Sequence, residues 1–333
     1  MNSKNNTVSD IWSALSKSKR VLMSLHAAPD GDSLGSCAAV KYLLERDIGA
    51  SVTLISEDEL DSALSRVPAA KEVLFGKSLH DYDWQQFDTV IFLDNGRIDR
   101  YDERAKQLVN HDNIINIDHH ASNTRFGNLN YVIDDAPAAC AVLLDIFKQC
   151  NVKFDAELSK RLLLGICTDS GFFRNRMNLS RCLHDAVFLL DHGADYLEDI
   201  VEPVLNGQPL KMKKYLGFML NNLVLDKQRK VAYSTLDNKH VVELNLNKSE
   251  IRLGIKDLQD IEGADCIFTL VELDNGIKGS FRTTKRIDVS KFATALGGGG
   301  HKPAAGFYLE KMPLDKAVDK VLQTIDEVGM QDF

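Results

Sequence analysis

The sequence predicts an α/β fold: an N-terminal parallel sheet flanked by helices, then a smaller α+β C-terminal domain, with a cleft between them. Three observations predict it. Over the first half of the chain, short segments that are apolar throughout alternate with stretches of helical spacing, the pattern of strands covered on both faces. The alternation stops near residue 200, where residues 203–209 hold two prolines and Gly207. Hairpin-like pieces follow, the clearest around Asp274-Asn275-Gly276. We therefore expect a first domain over residues 1–195, a linker and connecting helix over 196–222, and a second domain over 223–333.

Residues 20–26 (RVLMSLH) read as a buried strand. Residues 33–46 follow with Leu34, Cys37, Ala38, Val40, Lys41 and Leu44 at helical spacing. Further strands are expected at 51–55, 89–94 (TVIFLD) and 114–118 (IINID), and helices at 138–149, 155–169 and 180–192. The second part reads as a helix over 210–223, a hairpin over 224–236 turning at 226–230, and a hairpin pairing 269–273 with 277–281. A glycine run at 297–300 and an amphipathic helix over 314–328 complete it.

Of the 333 residues, 44% are apolar and 26% charged, a globular composition. No run approaches the roughly 18 apolar residues of a membrane span. Residues 1–10 lack the apolar core of a signal peptide. The six cysteines (Cys37, Cys140, Cys150, Cys167, Cys182 and Cys266) form no CxxC pair, so neither a zinc ribbon nor a disulfide framework is expected. These features lead us to expect a cytoplasmic protein. The net charge of −8 argues against broad binding of long nucleic acid and leaves room for a local basic pocket.

Chemistry gathers where the strands end, which is where parallel sheets bind ligands. The first strand runs into His26, Asp30 and Asp32; the third ends at Asp94; the fourth ends at Asp118-His119-His120; and the helix over 155–169 ends at Asp169. Carboxylates packed together raise one another's pKa, and a cation removes the conflict. Oxygen and imidazole donors without thiolate suit Mn²⁺ or Mg²⁺ better than a structural zinc. Taken singly, each group has a plainer reading. Asp32 or Ser33 could cap a helix, Asp94 could belong to a turn with Asn95-Gly96, and the glycine run could be a linker. All the plain readings must hold at once, which makes the clustered site the stronger account.

In order along the chain, these motifs resemble the DHH phosphoesterase superfamily, and within it the nanoRNase/pAp-phosphatase group related to RecJ. The resemblance rests on His26 with Asp30-Gly31-Asp32-Ser33-Leu34-Gly35, on Asp94, on Asp118-His119-His120, and on Thr168-Asp169-Ser170-Gly171-Phe172-Phe173-Arg174. The C-terminal part resembles a DHH-associated domain through Ser280-Phe281-Arg282-Thr283 and Gly298-Gly299-Gly300-His301-Lys302-Pro303-Ala304-Ala305-Gly306. It implies two divalent ions, Mn²⁺ with Mg²⁺ as the alternative. One would be held by His26, Asp30 and Asp94; the other by Asp32, Asp94, His119 and Asp169. Asp118 would orient a histidine, and His120 would face the substrate phosphate, so that His120, Asp118 and Asp94 form the catalytic set. Arg174, Arg282, Gly298, Gly299, Gly300 and His301 would contact substrate. The chain departs from the family at Cys140-Ala141-Val142, where relatives commonly carry Thr and Glu, and at Ser170, which replaces a Thr.

The implied activity is hydrolysis of very short oligoribonucleotides, of 3′-phosphoadenosine 5′-phosphate, or of both, through a hydroxide bridging two metals. Alternatives are a cyclic di-AMP/pApA phosphodiesterase, a RecJ-like single-strand exonuclease and, outside enzymes, a nucleotide-binding regulator. All six expected ligands are present, which weighs against the regulator. No added basic or aromatic platform follows the glycine motif, which weighs against the exonuclease. The expected partner is a short RNA or small phosphorylated nucleotide, with no membrane and no stable protein partner evident; a homodimer is left open.

Overall fold

The computed structural model describes residues 5–98, 111, 113–174, 178–207, 209–247, 250–251, 254–285 and 287–330. The chain divides into two compact units, Met1–Gly207 and Gln208–Phe333.

The first unit is a parallel sheet of β1 (Arg20–Ser24), β2 (Ser51–Ser56), β3 (Leu74–Phe75), β4 (Thr89–Leu93), β5 (Ile114–Asp118) and β6 (Leu129–Val132), in the order β3-β2-β1-β4-β5-β6. Side chains alternate between its faces. Val21, Met23, Ile91, Leu93, Ile115 and Ile117 join one core; Leu22, Val90, Phe92 and Ile114 join the other. Both faces are covered, so the central strands carry apolar residues at consecutive positions. Burying each such side chain is worth roughly 1.5–3 kcal/mol. Edge strands β3 and β6 were not expected: one has two residues, and the other, LNYV, lacks an apolar run.

Helices α1 (Val8–Leu15), α2 (Gly31–Leu43), α3 (Ala139–Gln149), α4 (Ala156–Asp169) and α5 (Leu179–Asp191) complete this unit. Eleven of the thirteen residues of α2 are buried, as in a helix packed on all sides. Close packing of α2 on α4 depends on missing side chains. A Cβ at Gly35 would lie 2.5 Å from the Arg161 carbonyl oxygen, and one at Gly31 would lie 2.4 Å from Thr168 Oγ1. The first turn of α2 starts two residues before the expected position. Its cap is Asp30, whose Oδ1 accepts from the amides of Asp32 and Ser33 at 3.1 Å, rather than Asp32 or Ser33. Segment 196–222 is shared out: Ile200 joins the first core, while Tyr215 and Met219 lie in the second unit.

The second unit is a mixed sheet of β7 (Val224–Asp226), β8 (Val231–Leu236), β9 (Cys266–Leu273), β10 (Gly276–Arg282), β11 (Gly299–His301) and β12 (Ala304–Leu309), ordered β11-β12-β10-β9-β8-β7. Only the β8–β9 pair is parallel. Helices α6 (Leu210–Asn221), α7 (Asn238–Glu243), α8 (Val289–Ala295) and α9 (Leu314–Val328) belong to it. One core holds Phe268, Phe281, Phe292 and Phe307; the other holds Tyr215, Met219, Leu236 and Val271. The glycine run is neither a linker nor an open loop, because Gly299–His301 pairs with β12 as an edge strand. A Cβ at Gly298 would lie 2.2 Å from the Gly306 carbonyl oxygen, so the sheet itself requires that glycine. Among the described residues no helix is long and apolar enough to cross a membrane.

Candidate metal centre

Strand order in the first unit reverses between β1 and β4, so the loops leaving these neighbours diverge and open a crevice at their carboxyl ends. His26, Asp30 and Asp32 lie where β1 passes into α2, and Asp94 follows β4. Asp118 ends β5 with His119 and His120 directly after it, and Asp169 is the last residue of α4. Asp94 is the centre. Its Oδ2 lies 3.3 Å from His26 Nε2 and its Oδ1 lies 3.4 Å from His119 Nε2. Asp30 Oδ1 is 3.6 Å from His26 Nε2. His119 Nε2 is 3.2 Å from Asp169 Oδ2 and 3.9 Å from Asp32 Oδ2. Two groups result, His26–Asp30–Asp94 and Asp32–His119–Asp169, each with its donor atoms within 4.8 Å of one another. A third joins Asp94, Asp118, His119 and His120. All six expected ligands therefore converge.

The backbone prepares these donors. Asp94 has φ +54°, a left-handed conformation that aspartate adopts more readily than most residues. His26 Nδ1 faces the Ala27 carbonyl at 2.9 Å and His119 Nδ1 faces that of Ala136 at 3.1 Å. A carbonyl only accepts, so each ring keeps a proton on Nδ1 and presents Nε2 to the carboxylates, protonated in the absence of a cation and ready to ligate one once that proton is lost. Asp32 is fully buried and held at both oxygens: Ala139 N donates to Oδ2 at 2.6 Å and Cys140 N to Oδ1 at 3.0 Å. Helix α3 has no side-chain cap of its own, and Asp32 fills that role from α2. The departure at Cys140 falls here: its main chain grips Asp32 while its side chain packs beside Gly35 and Gly165.

Electrostatics mark the cluster as short of positive charge. Burial opposes charging His26, but its hydrogen bonds to Asp30 and Asp94 outweigh this and raise its pKa to about 10. Burial likewise opposes charging His119, and Asp94, Asp32 and Asp169 push it upward instead. Burial and then neighbouring carboxylates push Asp32 and Asp169 up. Asp94 Oδ1 is buried without a hydrogen-bond partner. Oxygen and nitrogen donors around an orphaned central carboxylate oxygen fit hard divalent cations.

Beside this centre, Asp118 Oδ1 accepts from His119 N and contacts His120 Nδ1, both at 2.8 Å. The histidine it orients is therefore His120, which is 39% exposed at the side chain and leaves Nε2 for other partners. The bond from Asp118 is the main reason the His120 pKa is raised, which keeps the ring a donor over a wider pH range. Arg174 is exposed beyond a left-handed turn of Gly171, Phe172 and Phe173, and its Nε donates to the Gly171 carbonyl at 3.2 Å. Arg282 lies in the second unit at the end of β10, lining a cavity of about 220 Å³ with Asp265, Thr283 and Lys285. The His301 side chain lies outside the described residues. Sequence reasoning missed three buried asparagines, Asn95, Asn116 and Asn123, and the two α3 amides. Asn95 and Asn123 lie in loops and read as turn chemistry, Asn116 is a lone polar residue within β5, and a backbone amide leaves no mark in a sequence.

Fold and site together define a class, the two-unit α/β metal-dependent phosphoesterases. The chain carries a DHH domain and a DHHA1 domain: the model described as DHH family, N-terminal domain, matches residues 20–167, and that of the DHHA1 domain matches residues 228–329. A relative from Thermus thermophilus, named bifunctional oligoribonuclease and PAP phosphatase NrnA, is 26% identical over 319 residues, covering 92% of this chain and 89% of its own. Among solved structures, an exopolyphosphatase-related protein from Bacteroides fragilis shares the fold at TM-score 0.84 and 20% identity, with 96% of each chain covered. RecJ from Thermus thermophilus, solved in complex with Mn²⁺, shares it at TM-score 0.52 and 14% identity over 96% of this chain and 53% of its own.

Proposed function

We propose that this protein is a two-metal phosphoesterase that hydrolyses very short oligoribonucleotides and 3′-phosphoadenosine 5′-phosphate. The observation that carries the reading is Asp94, whose two oxygens face His26 on one side and His119 on the other. Likeness along almost the whole chain to an oligoribonuclease and PAP phosphatase supports the substrate class. In this reading His26, Asp30 and Asp94 hold one ion, and Asp32, Asp94, His119 and Asp169 hold the other, both Mn²⁺. Such a pair supplies Lewis acidity and lowers the pKa of water. The chain's own groups do the rest. The α3 amides and the Ala27 and Ala136 carbonyls fix the donors before any cation binds, so little reorganisation is needed. His120, aligned by Asp118, donates a hydrogen bond to the scissile phosphate. Arg174, Arg282 and the Gly298, Gly299, Gly300 and His301 segment bind the remaining phosphate and sugar groups. A reducing cytoplasm suits the six free cysteines.

The test is a hydrolysis panel in Mn²⁺: 3′-phosphoadenosine 5′-phosphate, a 5′-phosphorylated RNA dimer, a long RNA or DNA strand, cyclic di-AMP and pyrophosphate. We expect the first two to turn over at least about tenfold faster than the others, a difference of ~1.4 kcal/mol in barrier. Preference for the long strand or the cyclic dinucleotide would overturn the substrate assignment. Nucleotide binding without any hydrolysis would overturn the enzymatic reading.

A further inference from the structure

Below the candidate centre lies a polar network that no assigned role uses. Asn123 is buried in the turn after His119-His120, with its main-chain amide donating to the His120 carbonyl at 3.0 Å. Its Nδ2 donates to Asp118 Oδ2 at 2.5 Å and also lies 2.9 Å from Asn116 Oδ1 and 3.2 Å from the Asn95 carbonyl oxygen. Its Oδ1 accepts from Arg125 N at 2.6 Å. This fixes the amide's orientation, because the flipped form would set a carbonyl against a carboxylate and an N–H against an N–H. Asn116 is itself held through Nδ2 by the Asn95 carbonyl at 3.1 Å. Asp118 is fully buried, and its other oxygen carries His119 N and His120 Nδ1. The plane of its carboxylate is thus set from one side by Asn123, and that plane sets the His120 ring.

We propose that Asn123 is a positioning residue that, through Asp118, aims the His120 ring. The inference rests on the reading of His120 as a substrate-facing group. A carboxylate with one oxygen unanchored rotates about its Cβ–Cγ bond, and an imidazole bonded to the other oxygen follows it. Groups behind a reacting residue typically cost about 10–100-fold when removed. A residue that only supports the fold would cost the same whether or not His120 is present.

The experiment is a double-mutant cycle on the Mn²⁺-loaded full chain, with Asn123→Ala, His120→Ala and the double variant assayed for kcat and KM on 3′-phosphoadenosine 5′-phosphate. Asn123→Ser, whose hydroxyl is too short to reach Asp118, stands in if the alanine variant fails to fold. We expect Asn123→Ala to lower kcat about 10–100-fold with KM nearly unchanged, and to lower it less than about twofold once His120 is gone. Equal losses in both backgrounds would overturn the proposal. A second readout separates this from failure of the functional reading. In Mg²⁺-loaded protein, which avoids paramagnetic broadening, the slowly exchanging His120 Nδ1 proton is assigned by its loss in His120→Ala. If the wild type hydrolyses no substrate, the functional reading fails, and the proton decides alone: its loss in the Asn123 variant supports the positioning role and its retention refutes it.

Discussion

Replacing Asp94 with asparagine is expected to abolish hydrolysis and to abolish stabilisation by Mn²⁺. The substitution is nearly isosteric, and asparagine tolerates the left-handed φ of +54° at this position. It removes the one carboxylate that faces both His26 and His119, and it places an NH₂ group, which cannot ligate a cation, on one of the two sides. We expect kcat to fall by more than about 1,000-fold, or ~4 kcal/mol of transition-state stabilisation. In the wild type, each Mn²⁺ at about 100 times its Kd should add ~2.7 kcal/mol to the stability of the unit that binds it. For a domain of this size that raises Tm by roughly 5–10 °C. The Asp94→Asn variant should melt at nearly the same temperature with and without the ion. A variant that retained both turnover and the metal-dependent shift would remove Asp94 from the site.

The second large effect is expected at Gly165, which lies on α4 and has no contact with substrate in the proposed mechanism. A Cβ there would stand 2.3 Å from Asp32 Oδ1 and 2.3 Å from Cys140 Sγ. Neither neighbour can yield. Asp32 is pinned by the Ala139 and Cys140 amides, and Cys140 is buried at the start of α3. Gly165→Ala must therefore part α4 from α2 and α3, at a cost of about 1–3 kcal/mol. It should also displace one oxygen donor and weaken Mn²⁺ binding by about 10–100-fold. Gly217→Ala is the control. That glycine is in helix α6, where an added Cβ would meet nothing within 4 Å, so alanine should stabilise by up to about 1 kcal/mol. Thermal melts and metal titrations of both variants check the pair. Equal behaviour of the two would mean that the α2–α4 seam has no influence on the centre.

The parts of the molecule that were legible in the sequence share a physical cause. The central strands β1, β2, β4 and β5 carry apolar residues on both faces because both sheet faces are covered. The metal-centre residues were legible because each follows one of those strands or ends a helix. The edge strands escaped because an edge needs few apolar residues. The grip on Asp32 and the support of Asp118 escaped for another reason. The first comes from main-chain amides distant in sequence, with residues 32 and 139 brought together only by the packing of α2, α3 and α4, and the second from nearby asparagines that look like ordinary turn or strand polar residues. The glycine run was legible as special, but its reason differs in part from the expected one. Gly298 and Gly300 make room for β12, with a Cβ at Gly300 falling 2.6 Å from Ala305 Cα.

The central claim is that one carboxylate joins two cation sites. Titrating metal-free protein with Mn²⁺ and counting bound ions, by calorimetry and by metal analysis of the dialysed complex, tests it most directly. We expect two ions per wild-type chain, and in Asp94→Asn the loss of the pair rather than of a single ion. One ion per chain in the wild type, or two that survive the loss of Asp94, would contradict it.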